Sequence, residues 1–81
     1  MATELERLRK EHHITQKKMA AYMGLPIRTY EDLEHGRSRF RPIHQHAFDM
    51  AIIRLAIQAN KPSMIPAHLK ALIKSAGEII K

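Results

Sequence analysis

The sequence contains no cysteine, so neither a disulfide nor a thiolate zinc site reinforces the fold. It has no apolar run long enough to span a bilayer. The opening "MATELERLRK" is charged and lacks the apolar core of a signal peptide. These absences lead us to expect a cytoplasmic protein. There is no glycine-rich phosphate loop and no nucleophile elbow. Ser38, Ser63 and Ser75 have no visible catalytic partners, so we expect no enzyme. Six histidines are present, but no two stand four apart. His44 and His46 fall on different sides of a helix, and the neighbours His12 and His13 diverge, so no metal and no cofactor is expected. Strand signals, internal repeats and low-complexity segments are also missing.

What remains is a short, basic, helical chain. Its 81 residues suit one domain with a small core, which makes helix packing or oligomerisation the expected support. Fourteen Lys and Arg against eight Asp and Glu give a net charge of +6 and favour an anionic partner.

Five helices are legible. Thr3 can cap the first, with Glu6 completing a capping box, and the helix fades near His12 and His13. Thr15 can cap a second, whose apolar set Met19, Ala20 and Met23 carries it to about Tyr22 before Gly24 stops it. Pro26 suits the first turn of a third helix, which runs through Tyr30 and Leu33 to Gly36. "GRSRFRP" is a loop with three arginines, and Pro42 starts a fourth helix ending near Asn60 and Pro62. A fifth runs from Met64 or Pro66 to the C-terminus, with Ile65, Leu69, Leu72, Ile73, Ala76, Ile79 and Ile80 on a broad stripe and Lys70, Lys74 and Lys81 elsewhere. On the third helix Tyr30 and Leu33 should face Met19 and Met23, leaving Ile27, Arg28, Glu31 and Asp32 exposed. Ala20 is small enough to let two helices cross closely.

"TQKKMAAYMGLPIRTYEDLEHG" resembles the helix-turn-helix of the Xre-type family, the phage repressors, Cro proteins and their bacterial relatives. The likeness rests on Gln16, Met19, Ala20, Met23, Gly24, Leu25, Tyr30, Leu33, Glu34 and Gly36 in one register, within roughly Leu5 to Pro42. It implies an all-α, lambda-repressor-like five-helix domain. Residues 3–41 would be its DNA-binding part and 42–81 a helical dimerisation part. It also implies that Ile27, Arg28 and Asp32 read bases in the major groove: thymine methyl, guanine and cytosine respectively. Gln16, Lys17, Lys18, Thr29, Arg37, Arg39 and Arg41 are the expected phosphate contacts. Pro26 departs from the family pattern, in which serine is often found.

Three carboxylates, Glu31, Asp32 and Glu34, lie on the helix that would approach a polyanion. The resemblance gives Glu34 a partner in Arg9, an ion pair tying the first helix to the third. Glu31 reads as a solvated acid. Asp32 would lower non-specific affinity while accepting a bond at the right base.

The fourth helix carries two apolar stripes, Phe48, Ile52, Leu55 and Met50, Ile53, Ile57, so both its sides need cover. With the Ile-rich fifth helix, this predicts a homodimer through Ile53, Ile57, Leu72 and Ile79. The expected function is a sequence-specific double-stranded DNA-binding regulator of an inverted-repeat operator. The alternative is an antitoxin-type module that neutralises a protein partner. No membrane partner is expected.

Overall fold

The computed structural model describes residues 4–80. Thr3, its proposed cap, and Lys81 lie outside them. The element order is α1 (Glu4–Glu11), α2 (Gln16–Met23), α3 (Ile27–Glu34), α4 (Pro42–Ala59), a 3-10 turn (Pro62–Met64) and α5 (Ala67–Ile79). The fold is all-helical, with five α-helices and no strand among the described residues.

Helix boundaries follow local chemistry. The Thr15 Oγ1 accepts the Lys18 N–H at 3.1 Å and caps α2. Gly24, at φ +73°, closes α2 as its N–H reaches the Ala21 carbonyl and the Leu25 N–H reaches that of Ala20. Gly36, at φ +76°, ends α3 the same way, through its own N–H to Leu33 and that of Arg37 to Asp32. Pro26 stands one position earlier than expected. It is the N-cap of α3, with extended backbone, rather than a residue of its first turn. Pro42 is the first residue of α4, where proline forfeits no helical hydrogen bond.

α2 packs against both α3 and α4. Met19, Ala20 and Met23 join Tyr30 and the α4 residues Phe48, Ala51, Ile52 and Leu55 in one core, with Leu5 and Ile14. Leu33 is buried too, and with the core residues Leu5 and Phe48 it lines a cleft that also takes in Leu8 and Phe40. The first stripe of α4 is thus internal. Of the second, Met50 and Ile57 are exposed and Ile53 is partly covered.

α5 departs most from a self-sufficient domain. Only Leu69 is buried along it, while Leu72, Ile73 and Ile79 are exposed, followed by the equally exposed Ile80. The 3-10 turn before it, which the periodicity does not reveal, buries Met64 against the core. Among the described residues no helix is long and apolar enough to cross a membrane, and no cluster of three or more His, Asp or Glu is placed to hold a metal ion.

Candidate nucleic-acid interface

α3 is eight residues long and divides cleanly by face. Tyr30, Leu33 and Glu34 are buried. Ile27 and Arg28, in its first turn, are exposed, and Thr29 is half-buried. Pro26 offers no side-chain cap. The first-turn N–H groups therefore lack a side-chain partner, and the positive end of the helix dipole is open. A serine at this position would have covered one of those donors.

Glu34 is the one buried charged residue among those described, at 1% exposure. Arg9 meets it with a fork, Nε to Oε2 at 2.7 Å and Nη2 to Oε1 at 3.0 Å. The remaining arm of Arg9 donates to the Ile14 carbonyl at 2.9 Å. Gln16 Nε2 donates to Glu34 Oε1 at 2.9 Å. Burial by itself pushes the Glu34 carboxyl up, but the hydrogen bonds, led by those from Arg9, outweigh it and hold the group below its ordinary 4.5. The bond to Glu34 likewise raises the Arg9 guanidinium. Burial first, and then the neighbouring Glu34 carboxylate, push the Tyr30 phenol far up, and its hydroxyl forms no hydrogen bond of standard geometry. One carboxylate thus joins α1, α2 and α3 and fixes how α3 leaves the core.

The other two acids differ. Asp32 Oδ1 accepts from Arg37 Nε at 2.9 Å, and its main-chain carbonyl accepts the N–H groups of Arg37 and Ser38. Asp32 and Arg37, expected to meet a base and a phosphate, are therefore paired in the free protein and fasten the end of α3 to the loop. Glu31 is half-buried, and its main-chain carbonyl accepts from the His35 ring at 2.8 Å.

The expected phosphate contacts also separate. Arg39 and Arg41 are exposed and form no ion pair among the described residues. The Arg41 N–H donates to His44 Nδ1 at 2.9 Å, which anchors the start of α4, and the His44 ring is tilted against Phe40 with centroids 5.8 Å apart. The Gln16 side chain is committed to Glu34, which leaves its main-chain N–H at the start of α2 as the group to offer a phosphate. Lys17 shares a shallow groove with Ala21, Leu25 and Ile27, beside the start of α3. Lys18 lines a different pocket, with His12, His13 and Lys61. No signal in the local periodicity distinguishes the two lysines, because Lys61 arrives from the far end of α4.

Replacing Arg39 or Arg41 by Ala is expected to weaken specific and random duplexes alike. Each lost phosphate contact should reduce the steepness of log K against log salt by about 0.9. Unchanged slopes in both variants would remove these arginines from the interface.

Residues 5–43 match the family model described as Helix-turn-helix. No curated protein and no solved structure matches the chain.

Proposed function

Because residues 5–43 belong to the DNA-binding helix-turn-helix family of Xre and lambda-repressor type, we propose that this protein is a homodimeric transcription regulator that lays α3 in the major groove of an inverted repeat, one half-site per subunit. The observation that carries this reading is the division of α3. One face is locked into the core through Tyr30, Leu33 and Glu34, and its first turn presents Ile27 and Arg28 to solvent. Arg28 would bind guanine O6 and N7 with its two-pronged guanidinium, and Ile27 would touch a thymine methyl. Asp32 would read cytosine N4 only by exchanging its bond to Arg37. The Arg39–Arg41 loop, Lys17, Thr29 and the α2 N-terminus would set position on the backbone.

The acids on the reading helix therefore do not contradict DNA binding. Glu34 is spent inside the protein and Asp32 is neutralised by its neighbour, which leaves Glu31, among the described residues, as the one acid of α3 outside an ion pair, against Arg28, Arg39 and Arg41.

The exposed apolar residues Ile57, Leu72 and Ile79, with the partly covered Ile53, support a second copy as the partner of α4 and α5. The whole chain would then act as one domain, its first half on DNA and its second at the two-fold axis, in the cytoplasm and on the nucleoid.

Arg28→Ala is the direct test of the reading helix. It should cost about 1–3 kcal/mol on the best site and relax base preference at one position. Equal weakening on every duplex would make Arg28 a phosphate contact and sink the base-reading assignment.

A further inference from the structure

We propose that the pocket between the end of α1, the start of α2 and the segment after α4 binds a free phosphate ester with a small apolar body. The cavity is about 240 Å³, just below the usual range of ligand sites, about 300–1,000 Å³. Four basic side chains from three separate parts of the chain line it: His12, His13, Lys18 and Lys61. No carboxylate does. Among the described residues none of the four forms an ion pair, whereas Arg7, Arg9, Lys10 and Arg37 each have an acidic partner. The nearest acid in sequence, Glu11, is exposed on α1 and does not line the cavity.

The rest of the lining defines the body of the ligand. Ile14, Leu55 and Met64 are buried core residues and give the cavity an apolar wall. Gln58 Oε1 is taken by the Tyr22 hydroxyl at 2.7 Å, so its amide NH₂ is the group left to donate. Cationic and amide donors beside an apolar wall suit an anionic head on a hydrophobic substituent.

A simpler role for these bases is to complement the negative ends of α1 and α4, which both terminate here. Those ends are already closed by main-chain bonds. His13 and Ile14 N–H groups donate to the Lys10 and Arg9 carbonyls at 3.1 and 3.0 Å. Asn60 and Lys61 N–H groups donate to those of Ile57 and Ala56 at 3.1 and 2.9 Å. The four side chains are not consumed in capping. His13 moreover adopts φ +56°, a conformation glycine takes without penalty, yet an imidazole stands there.

The site is separate from the reading helix. Lys17 shares its groove with Ile27, and Lys18, one residue on, lines this pocket instead. Phosphate could also come from a DNA backbone, and the experiment distinguishes the two sources. The full chain is titrated with phenyl phosphate and with inorganic phosphate, followed by amide NMR, for the parent, Lys61→Gln and His12→Gln. Salt-dependent DNA titrations are run on the parent and Lys61→Gln. Lys61 is exposed and His12 half-buried, and retained amide spectra verify both folds. Phenyl phosphate should shift residues 12–18 and 58–64 and bind at least tenfold tighter than inorganic phosphate. Each variant should weaken it about tenfold, and Lys61→Gln should leave the DNA salt slope unchanged. Equal binding of the two phosphates, or full affinity in both variants, overturns the proposal. A DNA slope flattened by about 0.9 in Lys61→Gln assigns the pocket to the DNA backbone and overturns the free ester. None of these outcomes depends on Arg28, so base reading stands or falls separately.

Discussion

Arg9→Ala is expected to destabilise the fold by roughly 3–5 kcal/mol, because it strands the Glu34 carboxylate in the core. Against a typical total of about 5–15 kcal/mol, that is enough to leave much of the protein unfolded at moderate temperature. The geometry supports the upper part of this effect. Both prongs of the guanidinium bond the carboxylate, whose side chain is 1% exposed, and the third arm holds the α1–α2 turn through Ile14. Removing both charges with Arg9→Met and Glu34→Leu should recover much of the loss, since an apolar pair has no desolvation penalty to offset. The pH dependence has a definite sign. The Glu34 carboxyl is held below its ordinary 4.5 in the folded parent. Its contribution is therefore complete above that value and is lost as pH falls through the lower folded value. In Arg9→Ala burial acts without its largest counterweight, so the carboxyl rises relative to the parent and protonation relieves the variant. The gap between parent and variant should narrow on acidification. Thermal melts of the three proteins across this range measure it, and a parent-like Arg9→Ala would show that the pair is not needed to hold α3.

The second large effect is expected at α5. Ile79→Glu combined with Ile57→Glu should convert a dimer into helical monomers with little affinity for a two-half-site duplex. Ile79 is 84% exposed and Ile57 73%, so a carboxylate at either position is tolerated within a single subunit and is costly only against an apolar partner. A C2 interface repeats each substitution on both sides of the axis, which places like charges close together. Light scattering on parent and variant decides the matter. A parent that is monomeric at micromolar concentration would end the dimer reading and with it the inverted repeat. Co-purification of a tightly held different protein on this face would favour the antitoxin-type alternative.

Much of the fold is legible because its signals are local. Thr15, Gly24, Gly36 and Pro42 each act within four residues of themselves, through a cap, a left-handed turn or a missing N–H, and each stands at the expected boundary. The Arg9–Glu34 pair spans 25 positions, and it was the helix-turn-helix resemblance, rather than any periodicity, that linked the two. The less legible features all depend on groups that approach from elsewhere. Gln16 has the look of an exposed residue at a helix start, but Glu34 arrives from α3 to engage it. Asp32 sits on the outer face of its helix, yet the chain reversal at Gly36 brings Arg37 back onto it. Pro26 fits either side of a helix boundary because its fixed φ suits both positions, so its place shifted by one. α5 has an apolar stripe broad enough for packing, but of that stripe only Leu69 is buried in the core, while Leu72, Ile73 and Ile79 are exposed.

Selection of bound fragments from genomic DNA, followed by footprinting of the best ones, tests the central claim most directly. The account predicts protected inverted repeats whose half-site centres lie about 10 bp apart or a multiple of it, with two reading helices about 34 Å apart. Enrichment should vanish at one position of each half-site with Arg28→Ala. Recovery of no preferred sequence, or of a single unpaired site occupied by one subunit, would contradict it.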